Sequence, residues 1–139
     1  INDGMAAHVA KKVLQHIIQT GIDVKTAKVL VMGATFKENV SDIRNSKVAD
    51  VIRELKSYLL QVHVTDPHAN SDELNHEYGF CLTPNLSDNY DAVIIAVPHL
   101  AYMSMDDEAF VAITKTDGII ADVKGVYRDK IKSRKYWSL

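Results

Sequence analysis

Two uninterrupted apolar runs, residues 28–33 and 91–97, constrain the fold of this chain more than any other feature of its sequence. Each run has the length of one strand and no polar residue in its interior, which is typical of strands buried on both faces of a parallel sheet. Such strands need helices on both sides of the sheet to cover them. With 47% hydrophobic and 24% charged residues in a length of 139, the composition fits one ordinary domain and excludes disordered, collagen-like and coiled-coil chains.

The remaining segments alternate between helical and strand patterns. Apolar residues at helical spacing begin at Met5 and again at Val48, and Gly21 ends the first of these helices. The candidate N-caps are Asn2 or Asp3 for the first helix and Asn45 or Ser46 for the second. The predicted elements that follow are a strand over 61–65, a helix over 71–78, a short strand over 80–83, the strand over 91–97, a helix over 106–115 and a last core strand over 118–122.

This order of elements predicts a three-layer α/β domain. A strand, a crossover helix and a second parallel strand form a unit that is right-handed in nearly all proteins. Because short apolar strands alternate with helices, we expect a mostly parallel sheet with helices on both faces, preceded by the N-terminal helix. Ligands bind such sheets beyond the carboxyl ends of the strands, so the loops that follow strands are the first candidates for a site.

Charge, hydropathy and cysteine content exclude several classes of protein. Sixteen Lys and Arg residues oppose eighteen Asp and Glu residues, and no long run of one sign offers a surface to nucleic acid or to anionic lipid. The longest apolar stretch, 92–97, is far shorter than the ~20 residues that span a bilayer. Cys81 is expected to be a buried, inert thiol, which suits the cytoplasm. The first residue is Ile1, so we expect the chain to begin inside a longer product.

The loop after the first apolar run is the strongest candidate for a site. It covers twelve residues, 34–45, where loops between a strand and a helix usually have about 2–6. It carries the aromatic Phe36 and the cations Lys37 and Arg44. A lysine can neutralise a phosphate and an arginine can bind a diphosphate or ribose through two hydrogen bonds, so the loop suits a nucleotide. Its composition equally suits an ordered surface loop in which Arg44 pairs with Asp42 or Glu38.

Other residues give weaker signals. Gly33 stands alone, without the GxGxxG pattern that lets backbone approach a pyrophosphate. Asp66 is followed by proline, which indicates a turn rather than a ribose-binding acid. Lys124, beside Gly125, either reaches an anion at the same sheet edge or is a solvated lysine near a turn. The six histidines show no ligand spacing, so no metal is expected.

Four segments together resemble one known family. They are Val-Met-Gly-Ala-Thr-Phe-Lys-Glu-Asn-Val-Ser-Asp-Ile-Arg-Asn-Ser over 31–46, Asp66-Pro67, Asp91-Ala-Val-Ile-Ile-Ala-Val and Asp122-Val-Lys-Gly. This set closely resembles the C-terminal domain of the UDP-glucose/GDP-mannose dehydrogenase family, and the resemblance covers nearly the whole chain. The Glu-Asn pair at 38–39 and the segment His-Glu-Tyr-Gly over 76–79 are most similar to the branch that oxidises UDP-N-acetylhexosamines for surface polysaccharides.

The resemblance implies a Rossmann-like domain that forms the UDP-binding wall of an NAD-dependent nucleotide-sugar 6-dehydrogenase. In that family a C6 hydroxyl is oxidised to a carboxylate in two hydride transfers, through a thiohemiacetal on a cysteine of an earlier domain. The fragment is therefore expected to hold no catalytic residue and to be inactive alone. The resemblance implies substrate binding by Phe36, Lys37 and Lys124 and contact with NAD by Arg44, while most of the NAD site lies in a missing domain.

The resemblance also implies a division of the chain. Residues 1–21 match the end of the central helix that joins the family's domains, and residues 22–139 match the UDP-sugar-binding domain of an enzyme that is expected to be a homo-oligomer. The expected partner is a UDP-sugar, with neither nucleic acid nor membrane. The alternative is a stand-alone Rossmann-like binding or interaction module, in which the loop over 34–45 is structural and the first helix is a partner surface.

Overall fold

The computed structural model describes residues 3–139 and contains a five-stranded parallel sheet. Its strands are β1 (Lys28–Met32), β2 (Gln61–Thr65), β3 (Tyr90–Ile95), β4 (Thr114–Asp122) and β5 (Lys135–Ser138). Its α-helices are α1 (Asp3–Gln19), α2 (Val48–Ser57), α3 (Ser71–Tyr78) and α4 (Asp107–Ile113), with a 3₁₀ helix at Leu100–Tyr102. The predicted cap Asn2 and the side chain of Asp3 lie outside the described part of the molecule.

The strand order is β2-β1-β3-β4-β5, and every neighbouring pair is parallel. β1 lies between β2 and β3, with Val31 beside Val64 on one side and Ile94 on the other. Chain order therefore reverses between β1 and β3, which is where open parallel sheets bind ligands. Because all the strands run the same way, the loops after β1, β3 and β4 leave the sheet at one edge.

Alternate residues of the buried strands supply two apolar layers. On one face, Val31 and Ile94 belong to a cluster that includes α1, α2 and α3. On the other face, Val93 belongs to a cluster with Phe110 of α4 and Tyr127. Helices thus cover both faces, and the predicted three-layer Rossmann-like architecture with its N-terminal helix is confirmed. In the described part of the chain, no helix combines the length and the apolar character that crossing a membrane requires.

The strand predicted over 80–83 is wrong, because the chain there touches β2 without extending the sheet. The backbone N–H of Thr83 donates to the carbonyl oxygen of Val64 at 2.8 Å. The return bond, from the N–H of Val64, goes to the Thr83 hydroxyl at 3.0 Å instead of to a backbone carbonyl. A side chain therefore replaces the second half of a strand pair. Cys81, expected to be buried as part of that strand, is exposed.

The start of α2 also differs from the prediction. Lys47 is its N-cap, and no side chain accepts a hydrogen bond from the first turn. The predicted caps have other roles: the hydroxyl of Ser46 donates to the carbonyl oxygen of Ala34 at 3.0 Å, and Asn45 adopts a left-handed φ of 58°. The first turn of α2, at the carboxyl edge of the sheet, therefore has no side-chain cap, and the N–H of Asp50 donates to the carbonyl oxygen of Lys47 at 3.2 Å instead.

Candidate functional site

Loops from the carboxyl ends of three strands line a cavity of about 220 Å³. The long loop after β1 contributes Phe36 and Lys37, the segment after β3 contributes Val97, and the turn after β4 contributes Lys124. The start of α2 contributes Lys47. The fold therefore brings together all three residues that were predicted to bind substrate, although Lys37 and Lys124 are far apart in the sequence.

The charged groups that line the cavity are mainly cationic. Lys37, Lys47 and Lys124 line it together with one carboxylate, that of Glu38. The Nζ of Lys124 lies 3.8 Å from an oxygen of Glu38. Among the side chains described, from Gly4 onward, no carboxylate lies within 4.0 Å of the Nζ of Lys37 or Lys47. Ammonium groups around one small space repel each other, and an anion placed between them relieves that repulsion.

Lys47 is the candidate residue that sequence reasoning missed. It begins α2 with helical backbone angles, φ −72° and ψ −18°, and the next turn contributes Val48 and Val51 to the same cavity. The N-terminus of a helix carries a partial positive charge, which adds to that of the lysines. The signal was present in the sequence, because a helix that follows a parallel strand starts at the carboxyl edge of the sheet.

Arg44 pairs with Asp42 within the long loop. Its Nε and Nη2 atoms each donate to one Asp42 oxygen at 3.0 Å. These side-chain bonds, and a third from the backbone N–H of Arg44, lower the pKa of Asp42 to about 2. The backbone N–H of Phe36 donates to the carbonyl oxygen of Asp42 at 2.7 Å, which closes the loop. Of the two partners that the sequence left open for Arg44, the structure selects Asp42.

The fold places Arg44 away from the cationic cavity. Its side chain is 82% exposed and lines a separate, wider hollow of about 570 Å³. The hollow is lined mainly by acidic groups, with carboxylates from Asp42, Asp72, Glu73 and Glu77. The structure therefore separates the residue predicted to contact NAD from the three predicted to contact the substrate.

A buried carboxylate lies beneath the long loop. One oxygen of Asp66 accepts from the N–H of Ala34 at 2.6 Å and from Nε2 of His99 at 2.9 Å, and the other accepts from the N–H groups of His68 and Ala69. Burial raises the pKa of Asp66, but these donors outweigh it and the net pKa is lowered. Both oxygens are occupied, which confirms that Asp66 is a structural turn residue. Within residues 3–139, no three His, Cys, Asp or Glu side chains are placed to hold a metal.

A second buried carboxylate shapes the turn that carries Lys124. Asp122 ends β4 and is fully buried. One of its oxygens accepts from the N–H of Gly125 at 3.1 Å, and the other accepts from the N–H of Tyr127 at 2.7 Å and the hydroxyl of Tyr136 at 2.6 Å. These bonds hold the turn between β4 and the following segment in one shape, so that Lys124 faces the cavity.

The tyrosines around Asp122 make the fold sensitive to alkali. Burial and the charge of Asp122 raise the pKa of Tyr127 from its usual 10.0 to about 12. Burial and the hydrogen bond to Asp122 raise the pKa of Tyr136 to about 12 as well. A group whose pKa is higher in the folded state contributes stability below its unfolded value and loses it as the pH rises through the folded value.

We therefore expect the free energy of unfolding to fall as the pH rises from 10 to 12, by at most about 1.4 kcal/mol per pH unit for Tyr127. Urea denaturation at a series of pH values measures this slope. Tyr127→Phe removes one titrating group and should flatten it. An identical slope in Tyr127→Phe would contradict the assignment.

The turn after β1 does not fit a dinucleotide. Gly33 has a φ of +97°, and a Cβ at this position would lie 2.6 Å from the Cβ of Val97. The space that glycine leaves free is therefore filled by the neighbouring segment and not offered to a pyrophosphate. No NAD cradle exists at this turn, and the contact between Arg44 and NAD stays a prediction.

These features define a class of protein: a Rossmann-like α/β domain whose cationic cavity lies at the carboxyl edge of a parallel sheet, beside the point where strand order reverses. The chain belongs to the UDP-glucose/GDP-mannose dehydrogenase family, because the model of that family's UDP binding domain matches residues 30–129. The matched range contains Phe36, Lys37 and Lys124. The resemblance inferred from the sequence is confirmed.

Individual relatives share more of the sequence. The chain is 39% identical over 125 residues to UDP-N-acetyl-D-glucosamine 6-dehydrogenase of Pseudomonas aeruginosa, covering 89% of this chain and 30% of that protein. It is 39% identical over 143 residues to Protein CapL of Staphylococcus aureus, covering 100% of this chain and 33% of that protein. The chain thus spans about a third of the length of these relatives.

A solved structure shows the same fold. NDP-N-acetyl-D-galactosaminuronic acid dehydrogenase of Methanosarcina mazei Go1 superimposes with a TM-score of 0.83 at 23% sequence identity. The superposition covers 99% of this chain and 29% of that one. The architecture is therefore retained at a low level of sequence identity.

Proposed function

We propose that this chain forms the UDP-binding wall of an NAD-dependent dehydrogenase that oxidises the C6 hydroxyl of a UDP-N-acetylhexosamine to the uronic acid. The observation that carries the proposal is the meeting of Phe36, Lys37 and Lys124 in one cationic cavity, supplied by loops that follow different strands. The 39% identity to a UDP-N-acetyl-D-glucosamine 6-dehydrogenase supports the N-acetylhexosamine branch.

The side chains of the cavity suit a nucleoside diphosphate. Lys37 and Lys124 neutralise the diphosphate, and Lys47 adds a third ammonium group at the start of α2. Charge held in place around an enclosed site lowers the cost of removing a diphosphate from water. Phe36 is 54% exposed at the same cavity, so its ring can pack against the nucleotide and lose unfavourable contact with water.

The remaining parts of the reaction belong to sequence outside this chain. NAD, held mainly by another domain, accepts the two hydrides when it is bound. Arg44 contacts it from this side, with an exposed guanidinium that keeps its charge beside Asp42. This chain supplies no catalytic residue, and the segment 1–21, which contains α1, corresponds to the end of the connection to the rest of a homo-oligomeric, cytoplasmic enzyme.

The test is a calorimetric titration of the chain with UDP and with UDP-N-acetylglucosamine. We expect Lys37→Ala to weaken UDP binding about tenfold to a hundredfold, because a hydrogen bond to a charged group contributes about 1.5–3 kcal/mol. The matched control is Lys25→Ala, which removes an exposed lysine that precedes β1, at the opposite edge of the sheet. The control should retain the affinity of the wild-type chain.

Two outcomes would count against the proposal. Equal losses in Lys37→Ala and Lys25→Ala would mean that net charge matters and the cavity does not. A wild-type chain that binds neither ligand would refute UDP binding by this chain alone.

Glu38 makes a second prediction about the same cavity. Its carboxylate lies 3.8 Å from the Nζ of Lys124 and competes with an anionic ligand for that lysine. Exposed ion pairs contribute about 0.2–1 kcal/mol. We therefore expect Glu38→Gln to tighten UDP binding by about twofold to fivefold at low salt, with a smaller gain at high salt. Weaker binding in this variant would show that Glu38 supports the site instead of competing with the ligand.

A further inference from the structure

We propose that His99 is a positioning residue, which holds the segment carrying Phe36 and Lys37 in the shape that binds the nucleotide. The inference rests on the proposed function, because it takes Lys37 as a nucleotide contact. His99 follows β3 and lies under the long loop with 0% of its surface exposed. A side chain without exposed surface touches no substrate, so it can act only through its neighbours.

The first contact joins His99 to the far side of the loop. The backbone N–H of Asn39 donates to Nδ1 of His99 at 2.9 Å. A ring nitrogen that accepts a hydrogen bond holds no proton, so the imidazole is neutral and carries its proton on Nε2. In return, Oδ1 of Asn39 accepts from the N–H of Leu100 at 2.7 Å. Two bonds therefore fix Asn39, which has a left-handed φ of 62°, against the segment after β3.

The second contact joins the ring to the near side of the loop. Nε2 donates to Asp66 at 2.9 Å and lies 3.2 Å from the hydroxyl oxygen of Thr35. That hydroxyl donates to the carbonyl oxygen of Lys37 at 2.9 Å. Asp66, Thr35 and His99 are all buried, so water does not compete for these bonds. Lys37 thus lies between anchors at Thr35 and Asn39, and both anchors reach the His99 ring.

Such anchoring bears directly on binding. Phe36 and Lys37 are exposed, and a loop of this length without internal anchors samples many conformations. Ordering it at the moment of binding would lower the affinity, whereas a loop that is already ordered avoids that loss. A side chain that binds ligand needs a second set of residues to hold it in place. His99 connects three separate strand ends to supply that support.

Two substitutions separate the two contacts of the ring. In His99→Asn, the amide oxygen takes the place of Nδ1 and accepts from Asn39, while the donor to Asp66 is lost. In His99→Gln, the amide nitrogen extends towards Asp66, while the acceptor for Asn39 is lost. The matched control is His68→Gln: His68 is exposed, and its ring packs edge-on against His99 with 4.7 Å between centroids.

The experiment measures UDP affinity by calorimetry, exchange of the Asn39 amide proton by NMR, and the urea midpoint, all on the whole chain. We expect His99→Gln to weaken UDP binding about tenfold and to accelerate exchange at Asn39. His99→Asn should stay within about threefold of wild type, and His68→Gln should match wild type. If His99 contributed only to stability, both His99 variants would have a lower urea midpoint, and their affinities for UDP would not differ from each other.

Each other result decides against the inference. Unchanged UDP affinity in His99→Gln, or equal losses of affinity in the Gln and Asn variants, overturns it. The proposed function is still supported in that case if Lys37→Ala weakens UDP binding. If the wild type binds no UDP, the proposed function fails separately, and unchanged exchange at Asn39 in His99→Gln overturns the anchoring. If His99→Gln does not fold, Thr35→Val removes the near anchor, and full UDP affinity in that variant overturns the inference.

Discussion

Replacing Gly33 by alanine is expected to lower the free energy of unfolding by about 3 kcal/mol or more. Gly33 follows β1 with a φ of +97°, in a region that costs an L-residue about 1–2 kcal/mol. A Cβ there would lie 2.6 Å from the Cβ and 2.8 Å from the backbone nitrogen of Val97. Backbone must move to relieve these contacts, and forcing extra atoms into a packed interior costs typically about 1–3 kcal/mol.

A control variant, Gly21→Ala, separates the cost of the backbone conformation from the cost of the steric clash. Gly21 has a similar φ of +80°, but a Cβ built there meets nothing within 4 Å. Gly21→Ala therefore carries only the conformational cost, about 1 kcal/mol. Trp137, the single tryptophan, lies on β5, and its fluorescence reports urea unfolding of both variants. Equal losses in the two variants would show that Val97 yields easily and that packing at Gly33 is unimportant.

The same substitution also affects the proposed site. The backbone N–H of Gly33 donates to the carbonyl oxygen of Thr65 at 2.8 Å, and the next residue begins the loop that carries Phe36 and Lys37. Movement at Gly33 displaces that loop. We therefore expect Gly33→Ala to lose UDP affinity even under conditions in which it remains folded.

Replacing Asp122 by alanine is the second large effect, with an expected loss of about 3–5 kcal/mol. The carboxylate is fully buried and accepts from the N–H groups of Gly125 and Tyr127 and from the hydroxyl of Tyr136. Alanine removes the acceptor of the Tyr127 N–H and of the Tyr136 hydroxyl, while the N–H of Gly125 keeps a bond of 3.3 Å to the backbone carbonyl of residue 122. Each buried unsatisfied group costs about 1–3 kcal/mol. The turn that carries Lys124 loses its support in the same change.

Two variants control for charge and for shape. Asp117→Ala removes an exposed carboxylate from the same strand and should change the urea midpoint little. Asp122→Asn keeps one accepting oxygen and places an amide nitrogen where the other oxygen was. Its loss in the free energy of unfolding should therefore lie between those of Asp117→Ala and Asp122→Ala. A stability equal to wild type in Asp122→Ala would show that water replaces the carboxylate.

Local patterns account for most of the predicted elements. The helix predicted over 71–78 is α3, Ser71–Tyr78, because helical spacing and the left-handed Gly79 after it are properties of adjacent residues. The apolar runs became β1 and β3 because an uninterrupted apolar strand is stable only when both its faces are covered. β5 had no such pattern, because its four residues are exposed or only partly buried at the edge of the sheet.

The candidate site was predictable only where the loop itself carried the signal. Phe36 and Lys37 were predicted because they lie in a loop that is too long for a simple connection. Lys124 was predicted because it lies in the turn after the last core strand. The start of α2 at the same sheet edge was a signal in the sequence for Lys47, whereas the exposure of Cys81 depends on how distant segments pack. No pattern of neighbouring residues encodes such contacts.

The sequence by itself determined the four strands β1 to β4, the α-helices and the family, since these depend on periodicity, turn residues and segments that lie close along the chain. Only the tertiary structure decided that Lys37 and Lys124 share one cavity, that Arg44 lies in another hollow, and that His99 supports the loop. The reason is the strand order β2-β1-β3-β4-β5, which places the ends of β1, β2, β3 and β4 side by side. Groups from separate parts of the chain meet there as hydrogen-bond partners.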